Sequence, residues 1–374
     1  DDGSLELWSS SQSPIVMRWA GQRGVELAGK SANTVTDPVT ITGGGFGRRT
    51  EFDVNLQAAM LAARNPGQPI KVIWTREQDV SQGTYRSPAM IDLSAKLGPD
   101  GLPSAFSAQV ASGALSTDFG DRVLPTGGDP AEKDPFAIEG LVHLPYRLPN
   151  RKIEMVPVDM PFPIGFWRSN GYANNVFATE HFLDECAARA KIDPVEYRRR
   201  LIADPRLLGV LDMLADKSGW SEPPGSGRGR GIALRKSFES YCGHVIEVTV
   251  DDGGAVRVER VVSAIDCGIV VNPGNVRAQI EGAVLWGLSA ALYGRITVDA
   301  GRIVETNFDS YPICTLDQCP QIEVHLVRNT ERPGGVGEPG VPPVAAALAN
   351  AVLAATGKPQ RTLPMLNGDG VLNI

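Results

Sequence analysis

The chain has 374 residues, 42% of them hydrophobic and 21% charged, with a formal net charge of −7. That length carries two or three domains and a large core. The acidic balance and the lack of a basic stripe argue against nucleic acid as a partner, and no apolar run reaches the length of a membrane span. Cys186, Cys242, Cys267, Cys314 and Cys319 are scattered without a C-x-x-C, which excludes an iron–sulfur or structural zinc site on the usual spacings. His143, His181, His244 and His325 stand too far apart to suggest a histidine metal site. The chain opens on Asp1-Asp2-Gly3-Ser4 with no Met, so a fragment or a processed product is expected.

In chain order, residues 5–9 alternate like a short strand. Ser13-Pro14 then reads as an N-cap and a first-turn proline opening a helix that ends at Gly21. Gln12 sits at that junction. Residues 39–42 read as a second strand, followed by Gly43-Gly44-Gly45-Phe46-Gly47, a helix over 51–63 and a third strand over 70–74. This is a β-α-β-α-β beginning. Residues 88–160 are strand-like, with a turn at 99–102, a loop-rich part over 117–150 and a strand over 153–158. A rigid apolar loop over 161–171 carries Arg168 and precedes a helix over 175–191, whose stripe of Ala178, Phe182, Cys186 and Ala190 faces a core. Asp193-Pro194-Val195-Glu196 caps the next helix. The Gly/Pro/Ser-rich residues 221–231 are the best linker. Beyond it lie a hairpin of residues 245–250 and 255–264, Asp266-Cys267-Gly268, a helix capped by Asn272-Pro273 and running to Tyr293, and a strand over 321–327. A helix over 343–356 ends the pattern.

Three stretches suggest chemistry. Gly334-Gly335-Val336-Gly337-Glu338-Pro339-Gly340 holds one carboxylate among glycine, proline and valine just before a helix. A carboxylate fixed in such a loop suits a general base; the bland reading is a surface turn. Residues 43–47 lie between a strand and a helix, where amides point at an anion. A Rossmann fingerprint fails there, because position 48 is Arg48, and no P-loop Gly-Lys-Ser/Thr follows; a tight turn is the bland reading. Arg168 suits an anionic ligand or a structural ion pair. Gln279 and Asp266 mean little alone.

Together these stretches resemble the molybdenum-binding subunit of the xanthine dehydrogenase/aldehyde oxidoreductase family of molybdenum hydroxylases, in the branch typified by isoquinoline 1-oxidoreductase. Gly43-Gly44-Gly45-Phe46-Gly47-Arg48-Arg49 is similar to its Gly-Gly-Gly-Phe-Gly signature. Trp8-Ser9-Ser10-Ser11-Gln12-Ser13-Pro14 resembles the loop whose glutamine meets a molybdenum oxo ligand, and Phe166-Trp167-Arg168-Ser169-Asn170-Gly171 the loop near the metal. Asp266-Cys267-Gly268 with Gln279-Ile280-Glu281-Gly282 resembles the pterin-contacting segment, and Gly337-Glu338-Pro339 the catalytic Gly-Glu motif.

The resemblance implies an α+β fold of two molybdenum-cofactor-binding domains, mixed sheets with packed helices, over 1–220 and 232–374 with a linker at 221–231. It implies a molybdopterin-dependent oxidoreductase that hydroxylates an aldehyde or an N-heteroaromatic compound with oxygen from water and hydride transfer to a molybdenum–sulfido centre. Glu338 would be the catalytic base. Gln12, Gly45, Phe46, Gly47, Arg168, Gln279 and Gly337 would bind the cofactor, molybdopterin cytosine dinucleotide, with no side chain on the metal. Electrons would leave through a separate small [2Fe-2S] subunit, since this chain would hold no iron–sulfur cluster, with a cytochrome or another acceptor beyond it.

The family's Met-Gly-Gln-Gly segment and its Ser/Thr-rich pterin loop are absent from the sequence. In this branch both lie upstream, so the chain resembles the C-terminal half of a larger subunit that shares its cofactor with an N-terminal half. The compartment stays open between periplasm and cytoplasm. Two rivals also stay open: a non-catalytic assembly subunit with the same fold, and a nucleotide-binding enzyme using residues 43–47.

Overall fold

A computed structural model describes residues 3–38, 40–123 and 134–373. The elements are β1 (Ser4–Glu6), α1 (Pro14–Leu27), β2 (Thr34–Thr36), α2 (Asp53–Arg64), α3 (Arg76–Gln82), β3 (Ala89–Leu97), β4 (Pro103–Ser112), α4 (Leu115–Val123) and β5 (Arg151–Pro157). Then come α5 (Asn170–Ala190), α6 (Pro194–Leu201), α7 (Pro205–Ser218), β6 (Arg228–Ser237), β7 (Ser240–Val250), β8 (Val256–Asp266), α8 (Pro273–Leu292), the small pair β9 (Val298–Asp299) and β10 (Arg302–Ile303), β11 (Gln321–Leu326) and α9 (Pro342–Thr356).

The largest sheet has the order β11-β8-β7-β6. Its three longest strands are antiparallel, with Ile232 opposite Val245 and Val245 opposite Val262, and β11 joins β8 in parallel. Side chains alternate between the faces of a strand. Ile232 and Leu234 pack with Leu207, Leu211 and Leu214 of α7, while Ala233 packs on the other face with Val344, Leu348 and Val352 of α9. A second sheet, β3-β4-β5, contributes Phe106, Ala108 and Val110 to the α7 side of that core. Residues from Phe106 to Ala264, drawn from both sheets, therefore share one core, and the α+β class follows from helices packed on mixed sheets. Cys186 lies in that core, as its helical stripe implied, and burial pushes its thiol up to about 11.

Helix α5 touches β3, β6 and α9. A buried ionic network ties it to α6. Arg198 Nε donates to Glu180 Oε2 at 3.0 Å and its Nη1 to Asp184 Oδ1 at 2.5 Å, and the Tyr146 hydroxyl donates to Glu180 Oε1 at 2.6 Å. These buried charges compensate one another, which fixes the helix on which one wall of the site is built.

Several sequence expectations need correction. The helix expected to stop at Gly21 runs on to Leu27. Its glycines serve packing: a Cβ on Gly24 would lie 2.6 Å from the Leu56 carbonyl of α2. Residues 40–42 and 70–74 form no strand among the described residues; the Thr40 N–H donates to the Ser9 carbonyl at 3.3 Å, but Ile41 and Ile73 are exposed. Val39 lies outside the described residues. The parallel pair is instead β1 with β2. Within the loop-rich stretch 117–150, α4 reaches Val123; residues 124–133 lie outside the described residues. The expected linker 221–231 is strand from Arg228 onward. Gly229 and Gly231 lie under α9, where a Cβ on Gly229 would sit 1.9 Å from the Ala351 carbonyl.

Candidate functional site

Three loops and the start of one helix meet between α1, α5 and α8. Gln12 precedes α1, and its backbone N–H donates to the Arg49 carbonyl at 2.9 Å. Its Oε1 accepts the Gly47 N–H at 3.0 Å. A Cβ on Gly45 would lie 2.2 Å from that same Oε1, so the loop folds closely round the glutamine. Gly47 has φ +94°, and a Cβ there would meet the Phe166 carbonyl at 2.3 Å. Only glycine suits both demands. After Gly47 comes a short 3-10 turn rather than a helix start, because Arg48 turns to Asp53 and Asp79. The expected run of amides at a helix N-terminus is therefore not formed at this loop.

Phe46 stacks on Trp286 of α8, ring centres 4.8 Å apart. Its carbonyl accepts the Arg168 N–H at 3.1 Å, and the Arg168 guanidinium lies 5.7 Å from its ring. Arg168 is buried, and among the described residues no carboxylate is bonded to it. Its Nε donates to the Gly337 carbonyl at 2.6 Å, and its Nη2 to the Gln279 carbonyl and Oε1 at 3.0 and 3.1 Å. Arg168 thus crosslinks the loop before α5, helix α8 and the loop before α9. Burial lowers its pKa while Glu338 opposes that shift.

Glu338 Oε1 accepts the Ser169 N–H at 2.8 Å. Among the described residues its Oε2 has no partner. The loop that carries it is anchored on several sides. Gly334 donates to the Cys267 carbonyl, Gly335 to that of Phe238, and the Ser240 hydroxyl to the Gly335 carbonyl. His244 Nε2 lies 2.7 Å from the Gly340 carbonyl and its Nδ1 2.8 Å from the Ser263 hydroxyl. Burial lowers the His244 pKa to about 4.

All eight residues singled out in the sequence meet here: Gln12, Gly45, Phe46, Gly47, Arg168, Gln279, Gly337 and Glu338. Three others went unnoticed. Ser169 supplies the N–H to Glu338. Trp286 lies two helical turns beyond Gln279, a spacing that shares a helix face and could have been read. Glu139 lies beside the start of α5, and burial and the Glu338 charge push its carboxyl up to about 7. No local pattern marks Glu139. Beside Trp167 opens a cavity of about 950 Å³ lined by Arg86, Phe162, Phe182, Tyr311 and others.

The donor set consists of amides, one guanidinium and one carboxylate. Among the described residues no cluster of His, Cys, Asp or Glu could hold a metal ion. Beside the same loops, buried Ser169 Oγ, Asn170 Oδ1 and Trp286 Nε1 lack hydrogen-bond partners among the described residues. Such groups fit a polar ligand rich in oxygen and nitrogen that carries its own metal ligands.

Models of the molybdopterin cofactor-binding domain match residues 1–202 and 214–320. The chain is 32% identical over 372 residues to the beta subunit of isoquinoline 1-oxidoreductase from Brevundimonas diminuta, covering 97% of this chain and 46% of that one. It is 28% identical over 393 residues to a nicotinate dehydrogenase subunit of Pseudomonas putida, covering 97% and 32%. Among solved structures, quinoline 2-oxidoreductase from Pseudomonas putida 86 aligns with a TM-score of 0.79 at 14% identity, over 96% of this chain and 71% of that one. Aldehyde oxidoreductase from Desulfovibrio gigas aligns at 0.76 and 16%, over 97% and 57%. These structures share the fold. The chain spans about half the length, or less, of these curated relatives.

Proposed function

This chain belongs to the molybdenum hydroxylase family through its molybdopterin cofactor-binding domains, and on that premise we propose that it carries the general base of a hydroxylase acting on an aldehyde or an N-heteroaromatic compound. The observation that supports this best is the grip on Glu338. One carboxylate oxygen is held by the Ser169 N–H, the other has no partner among the described residues, and the adjoining Gly337 is fixed by Arg168. The molybdenum cofactor, when bound, supplies the oxygen and accepts two electrons from the substrate.

The chain's own residues do the rest. Gln12, Phe46 and the Gly45-to-Gly47 backbone would meet the metal end of the cofactor, and Gln279 its pterin. Gly337 would face the same group, with Arg168 holding the two walls in register. Glu338 Oε2 takes the proton from the attacking oxygen, and a fixed base is worth about 10²–10⁴-fold. The cavity beside Trp167 is the approach for an aromatic or apolar substrate.

The cofactor is the cytosine dinucleotide form, shared with an N-terminal half. A small [2Fe-2S] subunit takes the electrons and passes them to a cytochrome or another acceptor. The two cofactor-binding domains divide near residue 225. The test is chemical: the chain is purified with its partner chains and assayed for molybdenum and for the pterin dinucleotide. The reading expects both, and absence of both from the complete assembly sinks it.

A further inference from the structure

Arg86 lines the cavity beside Trp167, and its backbone is fixed on both sides. Tyr85 donates its N–H to the Pro163 carbonyl at 3.1 Å and accepts that of Gly165 at 2.9 Å. Asn174 Nδ2 of α5 donates to the Ser87 carbonyl at 3.2 Å. Between these anchors the Arg86 guanidinium lies over the Trp167 ring, 4.7 Å from its centre. Among the described residues it makes no hydrogen bond and no ion pair. The stack covers one face of a planar fork and leaves its N–H edge free.

The other charged groups around this cavity do not neutralise Arg86. Arg48 bonds to Asp53 and Asp79, and Arg361 to Glu185. Asp92 of β3 and Arg295, just after α8, line the same cavity; both are exposed and neither has an ion-pair partner among the described residues. Tyr311 lines it too. Burial raises the pKa of that phenol while the Arg86 charge lowers it, so a neutral O–H donor stands near the guanidinium. A desolvated cation without a counter-charge is costly, and an arriving anion relieves that cost. Trp167, which carries the stack, adjoins Arg168 and lies 5.5 Å, ring to ring, from Trp286. Arg86 is therefore one aromatic ring away from the loops that hold Glu338.

We propose that Arg86 sets specificity: it takes the carboxylate of a substrate that is an aromatic aldehyde or an N-heteroaromatic compound bearing an acid group. The substrate's ring lies in the cavity, and its reacting carbon points to Glu338. This deepens the reading of the Glu338 site given above and rests on it. A guanidinium–carboxylate pair is planar and bidentate, so it fixes the direction of the ring as well as adding affinity. The Tyr311 hydroxyl is a further donor to the same carboxylate. A cavity of about 950 Å³ accommodates an acid of one or two rings.

The test titrates the assembled holoenzyme by calorimetry with benzoate and with benzamide, its neutral mimic of nearly the same shape. The wild type should bind benzoate at least about tenfold more tightly. Arg86→Gln should lose that preference and bind benzamide as the wild type does, while Arg86→Lys keeps only part of it. In turnover, Arg86→Gln should raise KM for 4-formylbenzoate and leave KM for 4-formylbenzamide unchanged. Equal binding of the two probes by the wild type, or a preference that survives Arg86→Gln, overturns the proposal. Equal binding joined to a lower melting temperature of the Arg86→Gln assembly would give the arginine to a carboxylate of a partner chain, which overturns it too. Full turnover in Glu338→Gln would sink the reading of the base, whereas the benzoate preference is read without turnover.

Discussion

Arg168 donates its Nε–H to the carbonyl of Gly337 at 2.6 Å, across 169 residues of sequence. The bond joins the loop before α5 to the residue just before Glu338. The two further bonds to Gln279 make Arg168 a three-way crosslink.

Loss of that crosslink should misplace the base. Arg168→Ala is expected to cut turnover of the assembled enzyme by about 10²-fold or more, since displacement by about an ångström costs that much. Arg168→Lys keeps the charge but not the planar fork, and recovers only a small part. Steady-state kinetics, set beside molybdenum content, separate a misplaced base from lost cofactor.

The Gln12 contact has a steric signature. The Cβ of Gly45→Ala would lie 2.2 Å from Gln12 Oε1, and a glutamine side chain can swing away. The melting temperature should change little while cofactor content or turnover falls roughly tenfold, about 1.4 kcal/mol. In Gly47→Ala the clash is with the Phe166 carbonyl, and φ is +94°. Backbone cannot swing away, so stability drops by about 1–3 kcal/mol. Paired thermal melts distinguish the two glycines.

His244 makes the fold acid-sensitive. The Gly340 carbonyl can only accept, so Nε2 carries the proton and Nδ1 accepts from Ser263. Burial lowers its pKa from 6.5 to about 4. The unfolded chain then binds more protons than the folded one across that window. Stability is complete above about pH 6.5 and is lost as pH falls toward 4, by a term on the order of 3 kcal/mol. Thermal melts of His244→Gln across this range should show a flatter slope than the wild type; equal slopes would assign the acid sensitivity to another group.

The ionic network beneath α5 gives a stability prediction remote from the loops. Arg198→Met strands Glu180 and Asp184 in the core, since both bond to that guanidinium. A cost of about 3–5 kcal/mol is expected, read by denaturant unfolding. A triple change that also makes Glu180 and Asp184 apolar should recover much of it.

Much of this site was legible in the sequence because its parts sit at glycine and proline punctuation. Gln12, residues 43–47, Arg168 and Glu338 all lie in such loops, and Gln279 came with the family motif. What escaped was tertiary. Glu139 is marked only by Gly171 and Glu338, which approach it through folding. Gly21 and Gly229 were misread as breakers because close helix packing also selects glycine. Residues 70–74 alternate like a strand, but a strand needs a partner, and Ile73 lies exposed. Buried Arg235 helped to hide β6, since a charged residue rarely marks a core strand.

Glu338→Gln in the complete assembly tests the central claim most directly, with turnover and molybdenum content measured on the same preparation. Glutamine retains the Oε1 acceptor for the Ser169 N–H and cannot take a proton. Turnover should fall by about 10²–10⁴-fold with the cofactor still bound. Turnover within about threefold of the wild type, at equal molybdenum content, would show that another group is the base.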